Sequence, residues 1–158
     1  MKYSQVKNEI ILASKSKVRK EILEKNNIIC KVILPKVDEE PIKESLIKEG
    51  ATPEIISKNL AEIKATRISL SNQNCMVLGA DSVIDLEGEL ISKPNDRNEA
   101  LEILKKLNGK KHHLISSVCI SKNGSMIWNH TDKALLTMKK MTEEELKKYL
   151  VKISDEDL

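Results

Sequence analysis

Cationic side chains crowd the start of a predicted helix in the stretch LASKSKVRKE (12–21). An apolar strand, EIILA, leads into this helix, which spans 16–26 and has Ser16 as its predicted N-cap. The cations in and beside the first turn are Lys15, Lys17, Arg19 and Lys20. Each costs about 0.3–1 kcal/mol there, because free N–H groups and the helix dipole favour negative charge. A bound polyphosphate, held by Arg19 through two N–H groups, would offset that cost. Alternatively, these cations are solvated surface residues that bind no ligand. The spacing leaves both interpretations open.

A lysine also interrupts the inward-facing row of a second predicted helix, 53–70. The row at i, i+4 spacing consists of Ile56, Leu60, Lys64 and Ile68. Such a lysine either buries its stem and extends its ammonium to solvent, or reaches into a cleft where a phosphate balances its charge. Both interpretations stay open, and the second makes Lys64 a candidate phosphate ligand.

A carboxylate and a lysine are predicted to meet across a hairpin in GADSVIDLEGELISKP. Asp81 ends a predicted buried strand, 75–80, where a carboxylate is costly without a partner or a metal. If Glu87 and Gly88 form the turn, residues whose numbers sum to about 175 face each other. Lys93 then lies opposite Ser82 and beside Asp81. A salt bridge that only closes the hairpin is the alternative to a reaction centre.

An acidic run, VDEE (37–40), directly follows the second predicted strand. Its carboxylate oxygens are hard ligands, which suit a Mg²⁺ or Mn²⁺ ion that also binds substrate phosphates. Alternatively, the run is a solvated loop. The histidines, His112, His113 and His130, lack the spacing of a metal site. Zinc is therefore not expected.

The elements that must position these residues alternate between strand and helix. Val18, Ile22 and Leu23 are predicted to face inward from the first helix. The apolar run 28–34 predicts the next strand. Local signals bound the later elements: Thr52 with Pro53, Asp96, Gly109, the turn pair Asn123 and Gly124, and Thr142 with Glu145. The alternation predicts an α/β fold around one sheet, which binds ligands at the carboxyl ends of its strands.

Length and composition indicate a globular protein of one domain, 1–158. The sequence is 40% hydrophobic and 32% charged, with one Trp, two Tyr and no Phe. A net charge of +3 and few aromatics argue against nucleic-acid binding. No apolar run approaches the ~18–20 residues of a membrane span, and the start does not fit a signal peptide. The cysteines, Cys30, Cys75 and Cys119, are predicted to be buried and reduced, so we expect a cytoplasmic protein.

Six motifs, taken in order, resemble those of the Maf family of nucleoside triphosphate pyrophosphatases over nearly the whole chain. They are LASKSKVRKEIL, LAEIKA, GADSVI, LISKP, LNGKKHHLISSV and TEEELKKYL. The first is similar to the family's opening Leu-Ala-Ser-x-Ser-x-x-Arg signature, and the fifth to its Leu-x-Gly-x-x-His stretch. The resemblance implies an α/β fold with a mixed, twisted sheet flanked by helices, in two lobes with a central cleft.

The resemblance also implies roles for individual side chains. Substrate contacts fall on Ser14, Ser16, Arg19 and Lys20, and base specificity falls on Val18 and Ser82. The catalytic positions are Asp81, as proton acceptor, Lys64 and Lys93, and the metal-linked positions are Glu39 and Asp81. These roles imply metal-assisted hydrolysis of normal or modified nucleoside triphosphates to a monophosphate and pyrophosphate, with Mg²⁺ or Mn²⁺. A homodimer and a house-cleaning or cell-division-linked role are implied as well.

Two departures from the family pattern accompany the resemblance. The family often has a pair of arginines, whereas Val18 stands at the first of these positions, and Ser82 holds the second selectivity position. The sequence ends at ISDEDL, before the family's Ala-Gly-x-Tyr-x-x-x-Gly-x-Gly and Gly-Leu-Pro segments. Those segments add strands and a third selectivity residue. The alternative to an enzyme is therefore a non-catalytic remnant of the fold that binds a nucleotide or a protein.

Overall fold

The computed structural model describes residues 9–155, whose strands form one mixed sheet flanked by helices. In chain order the elements are β1 (Glu9–Ala13), α1 (Lys17–Lys25), β2 (Ile29–Val32), α2 (Glu39–Lys48), α3 (Pro53–Leu70), β3 (Val77–Leu86), β4 (Glu89–Ile91), α4 (Arg97–Leu107), β5 (Lys111–Lys122), β6 (Ser125–Thr137) and α5 (Glu143–Val151). The strand order is β2-β1-β3-β5-β6, and β4 pairs with β3. β1 is parallel to β2 and β3, and the other pairs are antiparallel. The predicted α/β fold is confirmed, and none of the described helices could cross a membrane.

Local capping signals mark the helix starts, as the sequence predicts. The side chains of Ser16, Thr52, Asp96 and Thr142 each accept a hydrogen bond from the backbone N–H three residues later. The predicted hairpin turns are also present, with positive φ at Glu87, Gly88, Asn123 and Gly124. These features depend on neighbouring residues only, which is why the sequence predicts them correctly.

Helix α3 packs closely against β3 and β5. Its fully buried side chains include Ile56, Leu60, Ala61 and Ala65. Gly79 of β3 lies directly beneath the helix, because an added Cβ would collide with Ala61 O and lie 2.7 Å from Ala65 N. The missing side chain at Gly79 permits this close approach. As a result, Lys64 of α3 comes within reach of Asp81 of β3.

One edge of β3 has a gap between two neighbouring strands. β1 pairs with β3 up to Gly79, and β4 pairs with it from Ile84 onward, both on the edge opposite β5. Among the described strands none pairs with residues 80–83 on this edge. Because β1 runs parallel and β4 antiparallel to β3, the chain leaving each strand enters the gap. Side chains from several elements can therefore converge there.

Some predicted element boundaries near the site differ from the structure. β3 continues to Leu86, so Asp81 lies within a strand rather than at its end. The acidic run is not a loop. Asp38 is the N-cap of α2, and Glu39 and Glu40 form its first turn, where the helix dipole favours carboxylates.

The predicted burial of the first helix is also wrong in part. Val18 is 64% exposed and Ile22 is 54% exposed, whereas Leu23 is half-buried. The reason is that α1 lies beside β2, a four-residue strand at the edge of the sheet, which offers little apolar surface. The three cysteines are free thiols: Cys119 is buried, and Cys30 and Cys75 are half-buried.

Candidate functional site

An ion cluster of Glu39, Lys64 and Asp81 lies at the gap beside β3. The Lys64 ammonium is 2.6 Å from Glu39 Oε1 and 3.1 Å from Asp81 Oδ1. The Lys64 side chain is only 12% exposed, so it reaches the cluster rather than extending to solvent. Three elements, α2, α3 and β3, each contribute one charged group to the same point.

The two carboxylates of the cluster have opposite pKa shifts. Burial raises the pKa of Asp81, and the adjacent Lys64 ammonium opposes this shift without cancelling it. Burial also acts to raise the pKa of Glu39, but the hydrogen bond and charge of Lys64, with nearby Lys43 and Lys15, outweigh it and lower that pKa. Asp81 Oδ2 is buried and has no hydrogen-bond partner. Asp81 is therefore the carboxylate better suited to accept a proton, and Glu39 the one that stays ionised.

Arg19 lies across the same gap from the first turn of α1. Its Nη1 atom donates to Ser14 Oγ at 2.9 Å and to Ala80 O at 3.3 Å, and its Nη2 atom donates to Ser82 Oγ at 3.2 Å. Burial lowers the pKa of Arg19, while the charges of Asp81 and Glu39 act to raise it. The guanidinium remains protonated, since arginine does not lose its proton in proteins. The structure thus brings Arg19 to the end of β1, to β3 and into the field of both carboxylates.

The structure does not bring every predicted residue to the ion cluster. The β3–β4 pairs have the predicted register, since their residue numbers sum to 175, but the pairing stops at Ile91, before Lys93. Lys93 is exposed and forms no ion pair with Asp81 or Glu39. Lys93 instead follows Ser92 at the rim of the gap. The predicted position of Lys93 beside Asp81 is therefore wrong, and so is the alternative of a Lys93–Asp81 salt bridge that closes the hairpin. Lys64 pairs with Asp81 instead.

Three predicted residues of the first helix make other contacts. Ser16 Oγ accepts from Arg19 N at 3.3 Å, so its hydroxyl caps the helix. Lys20 lies 3.7 Å from Glu24 and is half exposed. Val18 is exposed on the same helix and makes no polar contact. These residues border the site without joining its ion cluster.

Sequence reasoning missed three residues that contact the site. Lys43 Nζ is 3.8 Å from Glu39 Oε2 and 3.4 Å from Ser92 Oγ, and its side chain is 13% exposed. Its i, i+4 spacing from Glu39 would have revealed it if the acidic run had been recognised as a helix start. Ser57 Oγ donates to the Asp81 carbonyl at 3.1 Å, and Ser116 Oγ lies 2.9 Å from Ser82 Oγ. No sequence signal distinguishes Ser57 and Ser116 from serines that lie away from the site.

The donor set at the cluster fits a hard divalent cation that shares substrate oxygens. Glu39 and Asp81 supply two carboxylates, and the free Asp81 Oδ2 is a buried oxygen in need of a partner. Within residues 9–155 no group of three or more His, Cys, Asp or Glu could hold a metal. Mg²⁺ is commonly bound by one or two carboxylates together with phosphate oxygens, so this pair is sufficient in the presence of a nucleotide.

Comparisons with known proteins show the family of this chain. Residues 9–156 match the family described as Maf-like protein. The chain is 70% identical over 150 residues to a nucleoside triphosphate pyrophosphatase from Pelagibacter ubique, covering 95% of this chain and 77% of the relative. It is 33% identical over 147 residues to a 7-methyl-GTP pyrophosphatase from Brucella abortus, covering 93% of this chain and 74% of that protein.

One solved structure has a similar fold. A HAM1 protein from Coxiella burnetii superimposes with a TM-score of 0.52 at 18% sequence identity. The match covers 80% of this chain and 70% of that protein. At this identity the similarity concerns the fold alone, and it agrees with a helix-flanked mixed sheet.

Proposed function

Because the chain belongs to the Maf family, we propose that it is a nucleoside triphosphate pyrophosphatase. Its proposed reaction hydrolyses normal or modified nucleoside triphosphates between the α and β phosphates, releasing a nucleoside monophosphate and pyrophosphate. The observation that carries the proposal is the convergence of Glu39, Lys64 and Asp81 with Arg19 around the gap beside β3. Such a reaction needs cations to hold the polyphosphate and a base to accept a proton from water, and these groups meet both needs.

Asp81 is the proposed proton acceptor. Its Oδ2 atom has no partner within the protein. Because a carboxylate oxygen has two lone-pair sites, Oδ2 can contact both a cation and a water molecule. The burial that raises its pKa also makes its carboxylate a stronger base. Ser57 holds the backbone of this residue through its 3.1 Å bond to the Asp81 carbonyl.

Cationic groups are proposed to stabilise the charge that develops on the departing pyrophosphate. Arg19 and Lys64 are already oriented by hydrogen bonds and ion pairs, so little reorganisation is needed when substrate arrives. The N–H groups at the start of α1 add a further site for phosphate. Lys93, at the rim of the gap, is the proposed contact for the outer phosphates.

Glu39 and Asp81 are the proposed ligands of Mg²⁺ or Mn²⁺. When bound there, the cation polarises the phosphoryl oxygens of the substrate. The protein's part is to keep Glu39 ionised, which the neighbouring Lys64 favours by lowering the pKa of that carboxyl. The Lys64 ammonium lies within 3.1 Å of both carboxylates and balances their charge.

A pyrophosphate-release assay tests this proposal. The purified chain is incubated with a panel of normal and modified triphosphates, 7-methyl-GTP included, with Mg²⁺ or Mn²⁺. We expect pyrophosphate and monophosphate in equal amounts, and in ¹⁸O-labelled water the label enters the monophosphate. Glu89→Gln, which changes an exposed carboxylate paired with Lys106, is the control variant. Release of inorganic phosphate as the first product, or no turnover of any nucleotide, contradicts the proposal.

The remaining expectations concern assembly and location. A homodimer stays a prediction from the resemblance, and light scattering at several protein concentrations tests it. A cytoplasmic location stays a prediction from the sequence, and fractionation of cells expressing the protein tests it.

A further inference from the structure

A row of polar side chains crosses three strands on the sheet face opposite α3. Ser82, Ser116 and Asp132 are direct partners on β3, β5 and β6, so their side chains lie on the same face. All three are exposed. Asp81, the next residue along β3, faces α3 instead, because successive side chains of a strand point to opposite faces. The row therefore lies beside the ion cluster but on the other face of the sheet.

The row has an apolar strip on one side and a mixed strip on the other side of the same face. The partners on one side are Ile84, Leu114 and Ala134, and those on the other are Ala80, Val118 and His130. Leu114 is 38% exposed, and Val118 is half-buried. A polar row beside an apolar strip suits a nucleobase, which has apolar ring faces and a hydrogen-bonding edge.

A chain of hydrogen bonds joins this row to the proposed phosphate site. Arg19 Nη2 donates to Ser82 Oγ at 3.2 Å, and Ser82 Oγ lies 2.9 Å from Ser116 Oγ. The same guanidinium donates from Nη1 to Ser14 Oγ at 2.9 Å. A nucleotide whose phosphates contact Arg19 would thus place its sugar and base toward Ser82 and Ser116.

We propose that Ser116 is a specificity-determining residue, which reads the hydrogen-bonding edge of the nucleobase together with Ser82. This inference rests on the proposed function and assigns the base-reading side of its site. A serine hydroxyl has one donor and two acceptor positions. Ser82 already accepts from Arg19 and contacts Ser116, whereas Ser116 uses only one of its positions within the row. Ser116 therefore has more hydrogen-bonding capacity left for a ligand.

Asp132 extends the row and places hydrogen-bond acceptors at its outer end. Its carboxylate accepts hydrogen bonds and cannot donate them when ionised. Asp132 Oδ1 already accepts from Lys133 N at 2.9 Å, and its other oxygen has no hydrogen-bond partner among the described residues. The outer end of the row therefore favours a base edge that presents N–H donors. Ser116 can either donate to that edge or accept from it.

The test compares Ser116→Ala, Ser116→Thr and Ser82→Ala with the wild-type protein over the same triphosphate panel. Ser125→Ala, an exposed serine at the start of β6, is the matched control. For each variant, kcat/KM is measured for every nucleotide, together with inhibition by pyrophosphate. Affinities for α,β-methylene triphosphates, which resist cleavage between the α and β phosphates, are measured by calorimetry in parallel.

We expect Ser116→Ala to change the kcat/KM ratio between two nucleotides with different base edges by about five- to tenfold, the effect of one neutral hydrogen bond. Pyrophosphate inhibition stays within about twofold, because the phosphate contacts are unchanged. Ser116→Thr keeps the hydroxyl and restores the wild-type ratio. The Ser82→Ala and Ser116→Ala effects are non-additive in the double variant, because the two hydroxyls are in contact.

Equal effects of Ser116→Ala on all nucleotides, or no effect on any, overturn the inference and leave the proposed function intact. A wild-type protein that releases no pyrophosphate overturns the proposed function instead. In that case the methylene analogues still test the role of Ser116. If Ser116 contacts the base, Ser116→Ala must change the relative affinities of these analogues.

Discussion

Replacement of Lys64 by methionine tests how the ion cluster is held together. The ammonium is 12% exposed and lies between Glu39 and Asp81, whose side chains are 32% and 10% exposed. Removing one partner of a buried pair costs about 3–5 kcal/mol, because the other charge is left buried without compensation. Glu39 is exposed enough to be hydrated once the ammonium is gone. We therefore expect a loss at the lower end of this range, about 3 kcal/mol. For a domain of this size that loss lowers Tm by about 6–12 °C.

The assay is urea unfolding followed by the fluorescence of Trp128, the single tryptophan. Lys58→Met is the control, because Lys58 pairs with Glu54 on the exposed face of the same helix. That pair should contribute little to stability, because solvent screens it and Glu54 keeps a second partner in Lys133. A Lys64→Met and Asp81→Asn double variant should recover more than half of the loss, since the buried charge is removed as well. If Lys64→Met costs no more than Lys58→Met, the ion cluster is not buried as described.

Three further predictions concern the fold and its dependence on pH. Gly79→Ala should destabilise the protein by about 3 kcal/mol or more in thermal unfolding, because the new Cβ meets backbone atoms of α3 that cannot move independently; a loss below about 1 kcal/mol would contradict this close packing. Thr142→Ala should cost about 1 kcal/mol in urea unfolding through loss of the α5 cap, whereas Thr142→Ser should be close to wild type. In metal-free buffer Asp81→Asn should raise the free energy of unfolding at neutral pH, because burial raises the pKa of Asp81 and its ionisation therefore costs folded-state stability. This advantage should shrink as the pH falls toward that raised pKa, where Asp81 takes up its proton in the folded state, and an advantage that grows on acidification would refute the sign of the shift.

Short-range features of this protein are predictable from sequence because neighbouring residues decide them. Ser16, Thr52, Asp96 and Thr142 cap their helices as expected. The inward position of Lys64 also follows from helix periodicity, since its row is set by a spacing of four residues. What the row does not reveal is which acidic groups the ammonium meets, because these come from other elements.

Features that depend on tertiary structure are predicted less well. Extending the hairpin register predicts Lys93 beside Asp81; the register is correct, but β4 ends at Ile91 and the chain leaves the strand before Lys93. Val18 was expected to be buried, but the edge strand β2 is too short to cover it. Ser116 joins the site through strand pairing with Ser82, which is a long-range contact that no local pattern encodes.

The central claim is that the groups around the gap bind the triphosphate and that Asp81 accepts a proton from the attacking water. The most direct measurement compares wild type with Asp81→Asn for pyrophosphate release and for the Kd of a non-hydrolysable triphosphate. We predict that kcat falls by about 10²–10⁴-fold, the contribution of a general base. The Kd, measured without a divalent cation so that the metal-binding role of Asp81 does not contribute, changes by less than about threefold. An unchanged kcat, or a Kd that weakens as much as kcat falls, would contradict the claim.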